Sequence, residues 1–435
     1  MGFLYLFAVL VVLFIAWRVL SPGDVRLNRV YLRRYVKDSN GDGPKRINVK
    51  RIPAVIPAGQ PEEKVCYHIE ASFADGSQQH LTAQVFYPLE AMQMERDKQQ
   101  KPLVTDDLNP TSQLSGAPST PHSDEINKLK EDPLKEINEE HRIVDKKSAM
   151  LQAEVEQLRL LNQYTDFFPR LIHHDIKGHI TLMGPVGETR LDDLLNQKNQ
   201  PDKMMLLRSV MESLAHFHKD AQIVADNLLP GMTHSEELIR SQISGAFQGF
   251  VLAGVELSDV DIHEAIDAAR VLIDISTAEV GPKLMDASPR AFFSHQGVVR
   301  PLDFGRVRSD ISAIDVVELL CDPSTGLSPE AEMQLYEHYS NTRFAGVEQQ
   351  ALQLQILLRL GIYYRMVLSG FLVMHFMALA KSESKERPGV EIKYWTPAVL
   401  PRAVESLKFF LAQDPELARL HALLAPKLDE LSKYK

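Results

Sequence analysis

Between Phe3 and Trp17 the chain carries no charged residue and almost only large apolar side chains. Continued through Arg18 to Leu20, this run makes a helix about 27 Å long, enough to cross a bilayer with Arg18 snorkelling to the interface. A cleaved signal peptide is the competing reading. It would need a basic start and a small-residue cleavage site, and Ser21-Pro22-Gly23-Asp24 is a poor one. No Lys or Arg precedes the run, whereas Arg18, Arg26, Arg29, Arg33, Arg34 and Lys37 follow it. The positive-inside rule therefore places the rest of the chain on the cytoplasmic side of a cell membrane, as a single-pass protein whose bilayer contact is the N-terminal helix. The basic residues either only set this topology or also rest on anionic headgroups. A second apolar stretch, Met366 to Ala380, is short for a span and is interrupted by Ser369 and His375, so a buried core helix is expected there.

The chain has 435 residues, enough for two or three globular units. A net charge of −10 argues against nucleic-acid binding by phosphate neutralisation. Two distant cysteines, Cys66 and Cys321, exclude a disulfide scaffold and a Cys-rich metal site, and they suit a reducing cytosol.

Beyond a polar stretch, Lys64 to Phe73 and His80 to Tyr87 alternate like two strands joined at Ala74-Asp75-Gly76. Residues 97–145 are rich in Lys, Asp, Glu, Pro, Ser and Asn, which marks a disordered insertion. A helix is expected from Lys147 to Tyr164, with Val155, Leu158 and Leu161 at helical spacing. Ile172 to Met183 forms two short strands broken at Lys177-Gly178. From Leu191 the pattern is helical, apart from a hairpin turning at His295-Gln296-Gly297. The order is α+β: a small β-rich lobe, then a large helical one. The chain thus divides into a transmembrane anchor (1–22), a juxtamembrane segment (23–62), an N-lobe (63–96 and 146–184) split by the 97–145 insertion, and a helical C-lobe (185–435).

Four strings in order resemble the protein-kinase-like superfamily, in its aminoglycoside phosphotransferase and choline kinase branch. Glu154-Val-Glu-Gln-Leu-Arg-Leu-Leu161 with Phe168-Pro169-Arg170-Leu171 resembles the N-lobe helix and the strand after it. His179-Ile-Thr-Leu-Met183, then Gly187 and Leu191-Asp-Asp-Leu-Leu195, is similar to the strand, hinge and first C-lobe helix. Ser213-Leu-Ala-His-Phe-His218 resembles the helix before the catalytic loop. Leu284-Met-Asp286-Ala-Ser-Pro289, a hairpin and Leu302-Asp303-Phe-Gly305 resemble the catalytic and metal-binding loops. The resemblance implies a two-lobed protein-kinase-like domain behind a transmembrane helix. It implies Asp286 as catalytic base, Asp303 as metal ligand, and Glu154, Gln84, Met183 and Gly184 at the cofactor, with ATP and Mg²⁺ as cofactors. Asp315 matches the structural aspartate of the next helix.

The departures are specific. Gln84 stands where the phosphate-gripping lysine belongs, so no ion pair with Glu154 can form. Ala291 replaces an expected asparagine ligand, Leu284 replaces an expected histidine, and no glycine-rich loop precedes Lys64. Two further motifs read as decoys: His173-His174-Asp175 with His179, a polar turn or a metal cluster, and Asp226-Asn227, a second possible catalytic loop. Two functions of different class follow. One is a membrane-anchored pseudokinase, a scaffold or regulatory module with a protein partner at the membrane. The alternative is an atypical ATP/Mg-dependent phosphotransferase acting on a hydroxyl of a small molecule, lipid headgroup or protein, with Lys64 or Lys283 as replacement cation. An unrelated α+β interaction domain is the third reading, distinguished by whether Asp286 and Asp303 share a cleft.

Overall fold

In the computed structural model, residues 27, 29–37, 41–52, 64–86, 149, 151–231, 236–273, 279–284, 286–302, 307–381 and 399–431 are described. The expected anchor (1–22), the insertion (97–145) and Asp303 lie outside them.

The chain enters through helix α1 (Arg29–Tyr35) and strand β1 (Arg46–Arg51), then forms β2 (Lys64–Ser72) and β3 (Gln78–Phe86). Helix α2 (151–161) leads to β4 (Leu171–Asp175) and β5 (Ile180–Met183). These strands make one antiparallel sheet in the order β1-β2-β3-β5-β4. Alternation sorts its faces. Val65, Tyr67, Ile69, Leu81, Ala83, Val85, Ile180 and Leu182 turn to one side, where Leu32 of α1 and Val36 just after it cover them. Cys66 and Met183 turn to the other and join Leu158 and Leu161 of α2 in the main core.

Two of these elements correct the sequence reading. Arg29–Tyr35 and Arg46–Arg51 fall in the stretch assigned to a juxtamembrane segment, yet they complete the sheet and its cover. An edge strand needs few inward side chains: β1 fully buries only Ile47 among its charged residues, so it reads as polar.

The second lobe begins with β6 (Thr189–Arg190), α3 (Leu191–Gln197) and α4 (Gln200–Asp220). Next come α5 (Glu236–Leu252), α6 (Asp259–Ala268) and α7 (Arg270–Ile273), an insertion of the kind the long spacing between His218 and Asp286 implied. Strand β7 (Val280–Lys283) pairs with β10 (Arg308–Ile311), and between them the hairpin β8 (Phe292–His295) and β9 (Val298–Pro301) pairs with β6. Helices α8 (Ala313–Cys321), α9 (Pro329–Arg343), α10 (Gln350–Lys381), α11 (Val399–Gln413) and α12 (Ala418–Leu431) complete the lobe. The fold is α+β, a β-rich lobe followed by a helical one. Among the described residues one helix, Gln350–Met374, is long and apolar enough to cross a membrane, and 72% of its most apolar window is buried by protein.

Candidate functional site

The loop after β7 is held from below by a buried polar network. Asp315, at the start of α8, accepts the Leu284 N–H at 2.8 Å and the His218 Nε2–H at 3.0 Å. His218 Nδ1 in turn accepts from the Tyr339 hydroxyl at 2.7 Å. Burial keeps His218 neutral and pushes Asp315 up to about 8. Lys283 Nζ donates to the Leu284 carbonyl at 2.8 Å and lies 3.6 Å from Glu318 and 3.9 Å from Asp315. Glu318 accepts the Ala287 N–H at 3.1 Å, and burial raises it to about 7. Asp315 is thus a buried anchor for the loop after β7.

Asp286 sits on this loop with its side chain 46% exposed. Its Oδ1 accepts from the Ser288 N–H at 2.9 Å and the Ser288 hydroxyl at 2.5 Å, and Arg290 Nε is 3.6 Å from Oδ2. Its carboxylate is therefore engaged by its own loop. Ala291 offers no metal ligand.

In the sheet, Gln84 of β3 lies between Cys66 and Thr181, 5% exposed, and its amide oxygen has no hydrogen-bond partner among the described residues. Glu154 is half-buried on α2, whose neighbour Gln157 donates to the Val307 carbonyl at 2.6 Å. Lys283, offered by the sequence as a replacement cation, is committed to its own loop and to Glu318.

Met183 is fully buried at the end of β5. The Gly184 N–H donates to the Arg170 carbonyl at 2.8 Å, and the Val186 N–H donates to the Thr82 hydroxyl at 3.1 Å. Two backbone donors of the linker between the lobes are thus already used. Gly187, at φ +111°, lies so close to the Ser294 carbonyl that a Cβ would overlap it.

Beside this linker is a histidine cluster that sequence reasoning missed. His68 Nε2 is 3.2 Å from His80 Nδ1, and His295 closes the group with its ring centroid 4.9 Å from that of His80 and 6.0 Å from that of His68. Glu188 lies 3.7 Å from His68 Nε2 and pairs with Lys50. His68 and His80 belong to the sheet and His295 to the C-lobe hairpin, so only folding brings them together. Alternation placed the first two on one face; nothing in the sequence connected them to the third.

The decoys separate. His173 stacks on Tyr35 at 3.7 Å, His174 meets Thr181 at 3.2 Å, and Asp175 caps the Gly178 N–H at 3.0 Å. Among the described residues no group of three such side chains is placed to hold a metal. Asp226 and Asn227 are exposed at the end of the 3-10 turn Ala221–Asn227.

No family model and no curated protein matches this sequence. Solved structures similar to it include a choline/ethanolamine kinase family protein from Mesorhizobium loti, at 9% identity and TM-score 0.42, over 86% of this chain and 92% of that one. A choline kinase from Cryptosporidium parvum is similar at 8% identity and TM-score 0.42, over 93% and 99% of the two chains. The ADP-bound aminoglycoside phosphotransferase APH(2'')-Ib is similar at 9% identity and TM-score 0.38, over 87% and 95%. At such identities, what the cleft can do rests on this chain's own side chains.

Proposed function

We propose that this chain is a membrane-tethered, cytoplasm-facing module of kinase-like architecture that has given up phosphoryl transfer and works by binding a protein partner at the membrane. One observation carries the reading: the position that should hold a cation against the phosphates holds Gln84, buried in the sheet as a neutral amide. Phosphoryl transfer depends almost wholly on positioning and charge stabilisation, and losing one such donor costs ~10²–10³ in rate. Lys283 does not compensate, because withdrawing it would leave Asp315 and Glu318 facing one another without a counter-charge.

The residues described do not fit Mg²⁺-ATP. Gln84 is a neutral amide, Lys283 is held by the Leu284 carbonyl and Glu318, Asp286 is engaged by Ser288, and the linker donors at Gly184 and Val186 are spent. The tether rests on the Phe3–Trp17 run and the basic residues after it.

The test is calorimetric titration of the full chain in detergent with Mg²⁺-ATP, Mg²⁺-ADP and Mg²⁺-GTP, beside ATP turnover for wild type and Asp303→Ala. Neither heat nor turnover is expected. Turnover that Asp303→Ala abolishes would reject the proposal in favour of the phosphotransferase reading.

A further inference from the structure

The outer surface of α1 is basic on a chain of net charge −10. Within the helix, Val30, Arg33 and Arg34 face solvent, and Lys37 just beyond it continues the stripe at helical spacing, while Leu32 and Val36 pack on the sheet. The start of β1 adds to the same surface. The Arg33 guanidinium reaches the Lys45 carbonyl at 3.5 Å, and Lys37 Nζ lies beside Gly43. Arg33, Arg34, Lys37, Lys45 and Arg46 are all exposed, and none forms an ion pair among the described residues. On the helical lobe, by contrast, Arg359, Arg419 and Lys427 each meet a carboxylate. Val30, 81% exposed, is a large apolar side chain beside these charges.

Five unpaired cations on a chain of net charge −10 call for an anionic partner, and the sequence says which one lies nearest. The apolar run Phe3–Trp17 ends a dozen residues before α1. We infer that the face formed by Val30, Arg33, Arg34, Lys37, Lys45 and Arg46 docks on anionic phospholipid headgroups, laying the sheet's outer side against the bilayer and leaving the cleft on the opposite side of the sheet. The inference rests on the membrane tether proposed above. Each basic residue near an anionic surface shifts such an equilibrium about fivefold. Salt weakens it, since screening acts over about 10 Å at 0.1 M.

The test labels Val30→Cys with an environment-sensitive fluorophore; the native Cys66 and Cys321 are both buried. The full chain is reconstituted in vesicles of phosphatidylcholine alone or with 30% phosphatidylserine. The expected result is a blue shift only with phosphatidylserine, reversed by high salt. Arg33→Gln, Arg34→Gln and Lys37→Gln together should lower the docked-to-undocked ratio on the order of 100-fold. Equal emission in both vesicles, with the chain still floating at alkaline pH, overturns the docking face and leaves the tether intact. Extraction from both vesicles at alkaline pH overturns the tether itself. A blue shift that survives the triple substitution also overturns the inference, because contact would then not depend on these charges.

Discussion

At the scale of single residues, the buried network under the Asp286 loop has the clearest energetic signature. One cation, Lys283, serves two acids, so charge balances when either Asp315 or Glu318 keeps its proton. Burial raises them to about 8 and about 7. The unfolded chain releases these protons near pH 4, so the native state binds more protons between pH 4 and 7–8. Stability contributed by these groups is therefore full below pH 4 and is eroded as pH rises through that window. Glu318→Gln keeps an acceptor for the Ala287 N–H while removing one titration. Urea unfolding of this variant should lose stability between pH 5 and 8 less steeply than wild type, and an unchanged slope would refute the assignment. Lys283→Met, which strips the counter-charge, should cost about 3 kcal/mol, and more at pH 8 than at pH 5. Asp315 itself was legible in the sequence because its string follows the hairpin at a fixed remove. Its partners were only half legible: His218 lies almost a hundred residues upstream, and Lys283 was considered for the phosphates rather than for this acid pair.

At the scale of elements, the contact between sheet and hairpin sets how the cleft is held. Periodicity made β2, β3, β4, β5 and the β8–β9 hairpin legible, because each alternates or sits between turn residues. Strand β7 was not legible. Gly281-Pro282 in its middle reads as a break, and only pairing with β10 makes it a strand. Contacts across the cleft were equally hidden, since Thr82 and Val186, or His80 and His295, are brought together by the turn of the chain between lobes. The histidines give this contact a direction of pH dependence. Burial lowers His68 and His295, with neighbouring imidazoles and Arg300 adding to the effect at His295, while Glu188 opposes it and is itself held by Lys50. Parted lobes would take up protons near pH 6.5, which docked lobes resist, so the contact is fully stable above 6.5 and weakens as pH falls below it. After correction for the intrinsic rate, which itself falls with pH, hydrogen-exchange protection in residues 292–301 should drop between pH 7 and 5, and His295→Gln should remove that drop. Gly187→Ala should loosen the same contact at every pH, losing about 2 kcal/mol or more, because its φ and the Ser294 carbonyl both exclude a Cβ.

At the scale of the whole molecule, the question with most consequence is whether α10 is core or membrane. The length and apolar composition of Gln350–Met374 admit a span, although the interruptions of α10 at Ser369 and His375 point to a core helix. Its partners favour the core. Arg365, 2% exposed, pairs with Glu332 and donates to Ser406 at 2.8 Å, and its guanidinium lies over the Phe410 ring at 4.1 Å. Arg359 holds Asp414 at 2.7 Å, and Tyr363 bonds Gln242. Gly370 packs so tightly on α5 that a Cβ there would lie 2.6 Å from the Ala246 Cα. These contacts draw on α5, α9, α11 and the Asp414–Leu417 turn, and lipid supplies no substitute for a buried guanidinium's carboxylate. Removing α10 from the lobe would thus unpair charges on several sides at once and empty the core that α8 and α11 share. On the proposal of a single N-terminal tether, residues 97–145 and the C-terminal end would then lie on the same side of the membrane. Compartment-specific reporters placed within 97–145 and after Lys435 should respond alike in intact cells, both as cytoplasmic. Opposite responses would mean that α10 crosses the bilayer, and with it the helical lobe and its cleft would have to be taken apart.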